Sequence, residues 1–318
     1  MKGEKICIVG SGLIGRSWAM IFASADYNVV LYDISESQTT SAIEDIKQQL
    51  HNLEKRGYLK GKTSADHQFS LISPSADLAD ALKGAKYCQE CVPDDLELKK
   101  KVYSQIDELA DETTIVGSSS SYLSCSLISE HLKHRNRVTI AHPINPPYYV
   151  PLVELSPAPW TDKSVVEKAR EIMTEIGQAP VTLNKEVIGF GINRLQVALL
   201  NECFRLVADG VMNVADVDTV MHSGLGPRYA FLGPLGVGHL NADGMKSYFE
   251  RYSTGMTRTT NSFGPNPVWS LESPGAAQMI KELDEMFPLD QLQEHRMWRD
   301  SRLAALAKLK SDMNELNK

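Results

Sequence analysis

Short apolar runs alternate with longer amphipathic stretches over roughly the first 190 residues of the chain. KICIVG (5–10) is a continuous apolar run, which predicts a buried strand. LIGRSWAMIFASA (13–25) has helical composition, and NVVLYD (28–33) reads as a second strand. The polar, charged stretch 36–57 predicts a long helix ending at Gly57. TSADHQFSLISP (63–74) reads as a loop returning to a short strand. AKYCQECVP (85–93), TTIVGSSSS (113–121) and RVTIAHP (137–143) predict further strands. Between them, DDLELKKKVYSQIDELA (94–110) predicts an amphipathic helix opened by acidic residues. A helix over 162–176 and a strand at APVTL (179–183) follow.

This strand–helix alternation implies an α/β fold with a mostly parallel, Rossmann-type doubly wound sheet. From about Asn193 onward the periodic segments are helical: LQVALLNECFRLVADG (195–210), VADVDTVMHSG (214–224), NADGMKSYFERYSTGM (241–256) and MWRDSRLAALAKLKSDM (297–313). The expected organisation is a dinucleotide-binding Rossmann domain over 1–190 and an all-α C-terminal domain over 191–318.

Composition narrows the function. At 318 residues the chain is long enough for two domains of ~150 residues each. A formal charge of −7 gives no basic footprint, so nucleic acid is not an expected partner. No apolar segment approaches the ~20 residues that span a bilayer. MKGEKICIVG runs into an apolar segment that stops at glycines, which reads as a strand start and not as a signal peptide. Five scattered cysteines suit a reducing, cytoplasmic setting. Cys88 and Cys91 form a C-x-x-C, but in a strand residues three apart face opposite sides. They read as two structural thiols, and no metal is expected.

The first strand leads straight into GSGLIG, with Gly10, Gly12 and Gly15 in G-x-G-x-x-G spacing before a helix. The first glycine permits the tight turn, the second lets backbone amides approach a pyrophosphate, and the third permits close helix–strand packing. Leu13 and Ile14 belong to the same cofactor-binding loop. Asp33 ends the second strand 18 residues after Gly15, where a carboxylate binds an adenosine ribose. Asp33 repels a 2′-phosphate, and Ile34, Ser35 and Glu36 supply no arginine to receive one, so NAD is expected over NADP.

AHPINPPYYVPLVEL (141–155) carries a histidine at a strand end and a glutamate inside an apolar run. Oxidising an alcohol requires a base with a pKa near neutrality, and histidine is the usual choice. A buried carboxylate orients the imidazole and stabilises its cation. His142 and Glu154 fill these parts if the chain turns back through NPPYYVP. The plainer reading is an edge-strand glutamate beside an ordinary loop histidine.

The pattern H-x-x-N-P…L-V-E, here His142, Asn145, Pro146, Leu152, Val153 and Glu154, resembles the 3-hydroxyacyl-CoA dehydrogenase family. SSSSYL (118–123) matches the family's serine motif and GFGINR (189–194) its G-F-x-x-N-R segment. The resemblance implies four catalytic residues, His142, Glu154, Ser121 and Asn193, with Ser121 and Asn193 also contacting substrate; four consecutive serines leave that register open by one. It further implies that Glu90, Asp94 and Lys99, in ECVPDDLELKK, pass the nicotinamide side of the cofactor. For Asp94 the plainer reading is a helix N-cap, for Lys99 a solvated charge, and for Asn193 a helix N-cap.

Within the family the match is nearer a branch acting on small hydroxy acids, since proline follows His142 where acyl-CoA enzymes usually carry aromatic residues. The helical half, with GLGPRYAFLGPL (224–235) and GVGHLNADGM (236–245), resembles the same branch. That implies NAD-dependent oxidation of a 3-hydroxyl, with L-gulonate as the expected substrate, by a homodimer built through the helical domain. Arg228, in what reads as a glycine- and proline-rich turn, is the expected carboxylate-binding residue, with an interdomain or dimer salt bridge as the alternative. His239 and Asn241 are weaker candidates for sugar hydroxyls. Lys55, Arg56, Lys60 and Lys62 leave open a 3-hydroxyacyl-CoA or carnitine-type dehydrogenase. A non-catalytic, crystallin-like structural protein is the other alternative.

Overall fold

A computed structural model describes residues 3–316. Met1, Lys2, Asn317 and Lys318, at the outer ends of the expected domain spans, lie outside the described residues. The chain divides into two compact units: residues up to Arg194 with Asp300–Asp312, and Leu195–Arg299 with the remaining C-terminal residues.

The first unit contains eight strands: β1 Lys5–Val9, β2 Asn28–Tyr32, β3 Ile72–Ser75, β4 Ala85–Glu90, β5 Ile115–Ser118, β6 Val138–Pro143, β7 Leu152–Pro157 and β8 Ala179–Thr182. They form one sheet in the order β3-β2-β1-β4-β5-β6-β7-β8. Every pairing is parallel except β6 with β7. The helices are α1 Leu13–Ser24, α2 Glu36–Lys55, α3 Ala65–Ser70, α4 Leu78–Leu82, α5 Leu96–Leu109, α6 Cys125–Ser129 and α7 Lys163–Glu175.

Because helices cover both faces, a central strand such as β1 is buried on both sides and its apolar residues do not alternate with exposed ones. In β1, Ile6 and Ile8 pack into the core on one face while Cys7 and Val9 pack into the core on the other. This is the doubly wound α/β sheet that the alternating pattern predicts. The C-x-x-C residues also divide between the faces: Cys88 lies in the second core and Cys91 packs against the first. All five cysteines are free thiols. Burial pushes the Cys125 thiol up to about 12, so it is inert as a nucleophile near neutrality.

Two local expectations are corrected. The stretch 63–74 is not a loop: Ser64 caps α3 by accepting from the His67 amide, and β3 follows directly. Polar residues in the loop's place hid a helix that buries Ala65 and Gln68 and packs Phe69 against the core. The acidic opening of α5 is capped by Asp95, whose side chain accepts from the Leu98 amide, and not by Asp94.

The second unit is helical, as its periodicity predicts. It carries most of α8 Ile192–Ala208, then α9 Val214–Thr219, a π-helical stretch Val220–Leu225, α10 Gly226–Tyr229, α11 Pro234–Leu240, α12 Met245–Ser262 and α13 Ala276–Met286, and the two ends of α14 Leu292–Leu316, whose middle, Asp300–Asp312, belongs to the first unit. Arg228 therefore lies in helix, not in the expected turn. Glycine and proline there do not end the helix: the π-helical stretch Val220–Leu225 runs on into α10, with Leu225 and Gly226 both in helical conformation. Among the described residues no helix is long and apolar enough to cross a membrane.

Candidate active site

The glycine loop joins β1 to α1. Gly10 adopts φ +105°, and a Cβ there would meet the Cys91 carbonyl at 2.9 Å, so both its conformation and its space exclude other residues. A Cβ on Gly15 would run into the Gly10 carbonyl, so the third glycine packs the helix against the turn. Gly12 has open space in front of it, and no side chain caps α1. Free amides at a helix start facing open space suit an anionic pyrophosphate. This loop borders a cavity of about 580 Å³ that Asp33, Cys91, Asp94, Ser119 and Ser121 also line.

Asp33 directly follows β2 and is held by a residue that the sequence did not single out. Its Oδ2 accepts from both the Ser11 amide and the Ser11 hydroxyl at 2.8 Å, and its Oδ1 accepts from the Ser35 amide at 3.1 Å. Ser11 is one of the variable positions of the glycine motif, so only its spatial partner reveals it. Arg16, the nearest arginine in sequence, is paired with Asp45 at 3.0 Å and donates to the Ser11 carbonyl. It is not available to receive a 2′-phosphate. The residues present therefore fit an NAD-type dinucleotide.

On the other side of the loop, the matched polar residues separate into two kinds. Glu90 and Lys99 are both 0% exposed. Lys99 Nζ lies 2.8 and 3.0 Å from the two Glu90 oxygens and donates to the Val92 carbonyl at 3.0 Å. The Val92 amide and the Ser118 hydroxyl complete the Glu90 carboxylate at 2.6 and 2.7 Å. Lys99 is thus not a solvated charge. It and Glu90 form a saturated buried pair under the loop, whereas exposed Asp94 stands on the loop, 3.3 Å from Lys99 and accepting from the Ser121 amide at 2.9 Å.

The four serines are told apart by their partners. Ser118 is bound to Glu90, Ser119 is bound to Trp18 and Gln89, and Ser120 accepts from the Leu123 amide. The Ser121 hydroxyl makes no hydrogen bond among the described residues and borders the cavity. The Ser121 carbonyl accepts from Asn193 Nδ2 at 2.7 Å. Asn193 is the second residue of α8 and caps nothing; it ties the serine loop to the start of that helix.

His142 and Glu154 are register partners on the antiparallel pair β6–β7, so their side chains share a face. His142 Nδ1 lies 3.1 Å from Glu154 Oε2. The other oxygen, Oε1, accepts from the Gly191 and Ile192 amides at 2.8 and 2.9 Å. The two side chains are only 5% and 3% exposed, so the edge-strand reading of Glu154 fails: β8 covers that edge. A Cβ on Gly191 would stand 2.7 Å from Glu154 Oε1, which explains glycine there. The Phe190 ring packs beside the imidazole, tilted by 51° with centroids 5.5 Å apart. With Nδ1 committed to a carboxylate acceptor, Nε2 is left as the lone pair that can take a proton. Among the described residues Nε2 has no partner.

Arg228 belongs to the second unit, is exposed, and makes no hydrogen bond or ion pair among the described residues. His239 Nδ1 accepts from the Met245 amide, and Asn241 is the C-cap of α11. Both therefore stand at helix ends, His239 bound to the first residue of α12 and Asn241 closing α11. Among the described residues no three His, Cys, Asp or Glu side chains gather as a metal would require.

Comparisons with known proteins agree on one family. The 3-hydroxyacyl-CoA dehydrogenase NAD-binding domain matches residues 5–187, and the C-terminal domain of the same family matches residues 189–269. Lambda-crystallin of Oryctolagus cuniculus is 47% identical over 310 residues, covering 97% of each chain. L-carnitine dehydrogenase of Oceanobacillus iheyensis is 32% identical and covers 88% of this chain and 87% of its own. Among solved structures, 3-hydroxybutyryl-CoA dehydrogenase from Escherichia coli aligns with a TM-score of 0.66 at 28% identity, over 80% of this chain and 53% of that one. The chain belongs to the 3-hydroxyacyl-CoA dehydrogenase family and is an NAD-dependent oxidoreductase of that family.

Proposed function

We propose that the protein oxidises the 3-hydroxyl of a small hydroxy acid, with L-gulonate as the first candidate, using His142 as general base. The observation that carries this reading is the buried His142–Glu154 pair, whose carboxylate is fixed by two backbone amides. NAD, when bound, supplies the acceptor for the hydride. His142 Nε2 takes the hydroxyl proton, and Glu154 stabilises the imidazolium that results. The Ser121 hydroxyl and the Asn193 amide serve as preorganised donors to the reacting oxygen. Gly10, Gly12, Leu13, Ile14 and Gly15 bind the pyrophosphate, and Asp33 the adenosine ribose. Asp94 faces the nicotinamide side, with Glu90 and Lys99 supporting its loop from below.

The preference for a small acid rests on likeness to lambda-crystallins at 47–48% identity across nearly the whole chain. Arg228 is the proposed partner of the substrate carboxylate, as a bidentate donor. The second reading, a 3-hydroxyacyl-CoA or carnitine-type dehydrogenase, is favoured by the L-carnitine dehydrogenase relative. We further propose a cytoplasmic homodimer joined through the helical half. Leu195, Leu235, Leu240, Val268 and Leu271 are large apolar side chains left exposed there, which a second copy would cover.

The test is an NAD-coupled rate screen over L-gulonate, 3-hydroxybutyrate, carnitine and 3-hydroxybutyryl-CoA. L-gulonate should give the largest kcat/KM. Turnover of 3-hydroxybutyryl-CoA far above L-gulonate would overturn the substrate assignment. No reduction of NAD with any of the four would favour a structural, crystallin-like role instead.

A further inference from the structure

Ser119 occupies a junction that the catalytic reading leaves unused. Its Oγ lies 3.2 Å from Trp18 Nε1, 2.7 Å from Gln89 Nε2 and 3.2 Å from Cys91 Sγ. The indole nitrogen can only donate. The Gln89 amide is oriented by its other neighbours. Its nitrogen also lies 3.2 Å from the Ala141 carbonyl oxygen, a pure acceptor, and its oxygen accepts from the Tyr87 hydroxyl at 2.6 Å. An amide turned the other way would set two acceptors against each other at Ala141. Gln89 therefore presents N–H to Ser119, and both lone pairs of the serine oxygen are filled.

A hydroxyl in that state can only donate. Its proton points either to Cys91 Sγ or into the cavity that Ser119 and Cys91 both line. Burial raises the pKa of Cys91, so the sulfur is a neutral thiol and a weak acceptor. An oxygen acceptor arriving in the cavity outcompetes it.

Sheet topology decides which part of a dinucleotide would supply that oxygen. Asp33 follows β2 and Ser119 follows β5, on opposite sides of the glycine loop that follows β1. A dinucleotide that lays its adenosine ribose at Asp33 and its pyrophosphate on the glycine loop extends its other half over β4 and β5. We propose that Ser119 is a further cofactor contact, a donor-only hydroxyl that recognises an acceptor oxygen on the nicotinamide half of NAD. Trp18 and Gln89 act through it as positioning residues. The proposal rests on the assignment of this cavity to NAD.

The test compares NADH and ADP affinities, by titration calorimetry, for the wild type, Ser119→Ala and Trp18→Phe. ADP carries the adenosine and the pyrophosphate without the nicotinamide half. One neutral hydrogen bond corresponds to roughly a 5–10-fold change in affinity. Ser119→Ala should weaken NADH by about that factor and leave ADP unchanged. Trp18→Phe removes the indole N–H, frees one lone pair on Ser119, and should weaken NADH by a smaller factor, again without effect on ADP. Unchanged NADH affinity in Ser119→Ala overturns the proposal, as does an equal loss of ADP binding, which marks a disturbed glycine loop. If Ser119→Ala does not fold, Trp18→Phe decides, and unchanged NADH affinity there overturns it. If the wild type binds neither ligand, the NAD assignment itself fails and this proposal falls with it.

Discussion

His142 and Glu154 stand directly opposite one another across β6 and β7, and the two oxygens of Glu154 are shared between the imidazole and the amides of Gly191 and Ile192. The carboxylate is thus oriented before any substrate arrives. His142→Gln should abolish turnover while NADH still binds, because the imidazole lies apart from the glycine loop. Glu154→Gln keeps the shape but removes the anion, and should lower kcat by roughly 10³–10⁴-fold, as loss of the orienting acid does in other His–carboxylate sites. Steady-state rates with parallel NADH titrations would check both. A His142→Gln variant that loses NADH binding would mark the histidine as structural.

Gly191 bears on the same pair from the backbone side. Any side chain there meets Glu154 Oε1 at 2.7 Å, closer than Cβ atoms come to their neighbours. Gly191→Ala should push the carboxylate off the two amides and lower kcat, with little change in NADH affinity. An alanine variant with wild-type kcat would show that the carboxylate tolerates displacement.

At the other end of the cavity, Asp33→Ala should weaken NAD and narrow the gap to NADP. The substitution removes the charge that repels a 2′-phosphate, and it also frees the Ser11 amide and hydroxyl. Comparing kcat/KM with the two cofactors measures this. An unchanged preference would mean that selectivity lies elsewhere.

The sequence carried the strand–helix alternation, the glycine loop and the His–Glu pairing because each depends on local pattern or on a short return of the chain. β6 and β7 are joined by eight residues, and apolar alternation around Glu154 already assigns it a face. It could not show that Lys99 is buried, since a lysine in KKK reads as solvent-facing until its partner, Glu90, is located on β4. Nor could it separate four consecutive serines, whose partners come from β4, α1 and the loop before α5. Ser11 and Ser119 share this feature: their roles are defined by contacts more than 20 residues away in sequence.

The Glu90–Lys99 pair makes a stability prediction. Both charges are fully buried, and each is completed by further hydrogen bonds. Lys99→Met leaves an uncompensated buried carboxylate and should cost about 3–5 kcal/mol in urea unfolding. The double substitution Glu90→Gln with Lys99→Met should recover part of that loss. If the single variant is as stable as the wild type, the pair is not sealed from water.

Lys60 predicts a pH dependence of stability. Its ammonium lies 3.4 Å from Gln178 Oε1 and 5.3 Å from the Tyr148 ring, with no carboxylate at ion-pair distance among the described residues. Burial lowers its pKa from 10.5 to about 8. The folded chain therefore gives up this proton at lower pH than the unfolded chain, and between those two values unfolding takes a proton up. Stability contributed by this group rises with pH across that window, and below about pH 8 the full cost of the buried cation is present. Lys60→Met should be more stable than the wild type at pH 7, with the difference shrinking as pH rises from 8 to about 10. Urea midpoints at four or so pH values would show it. A difference that stays constant across the window would mean that Lys60 titrates as an ordinary solvated lysine.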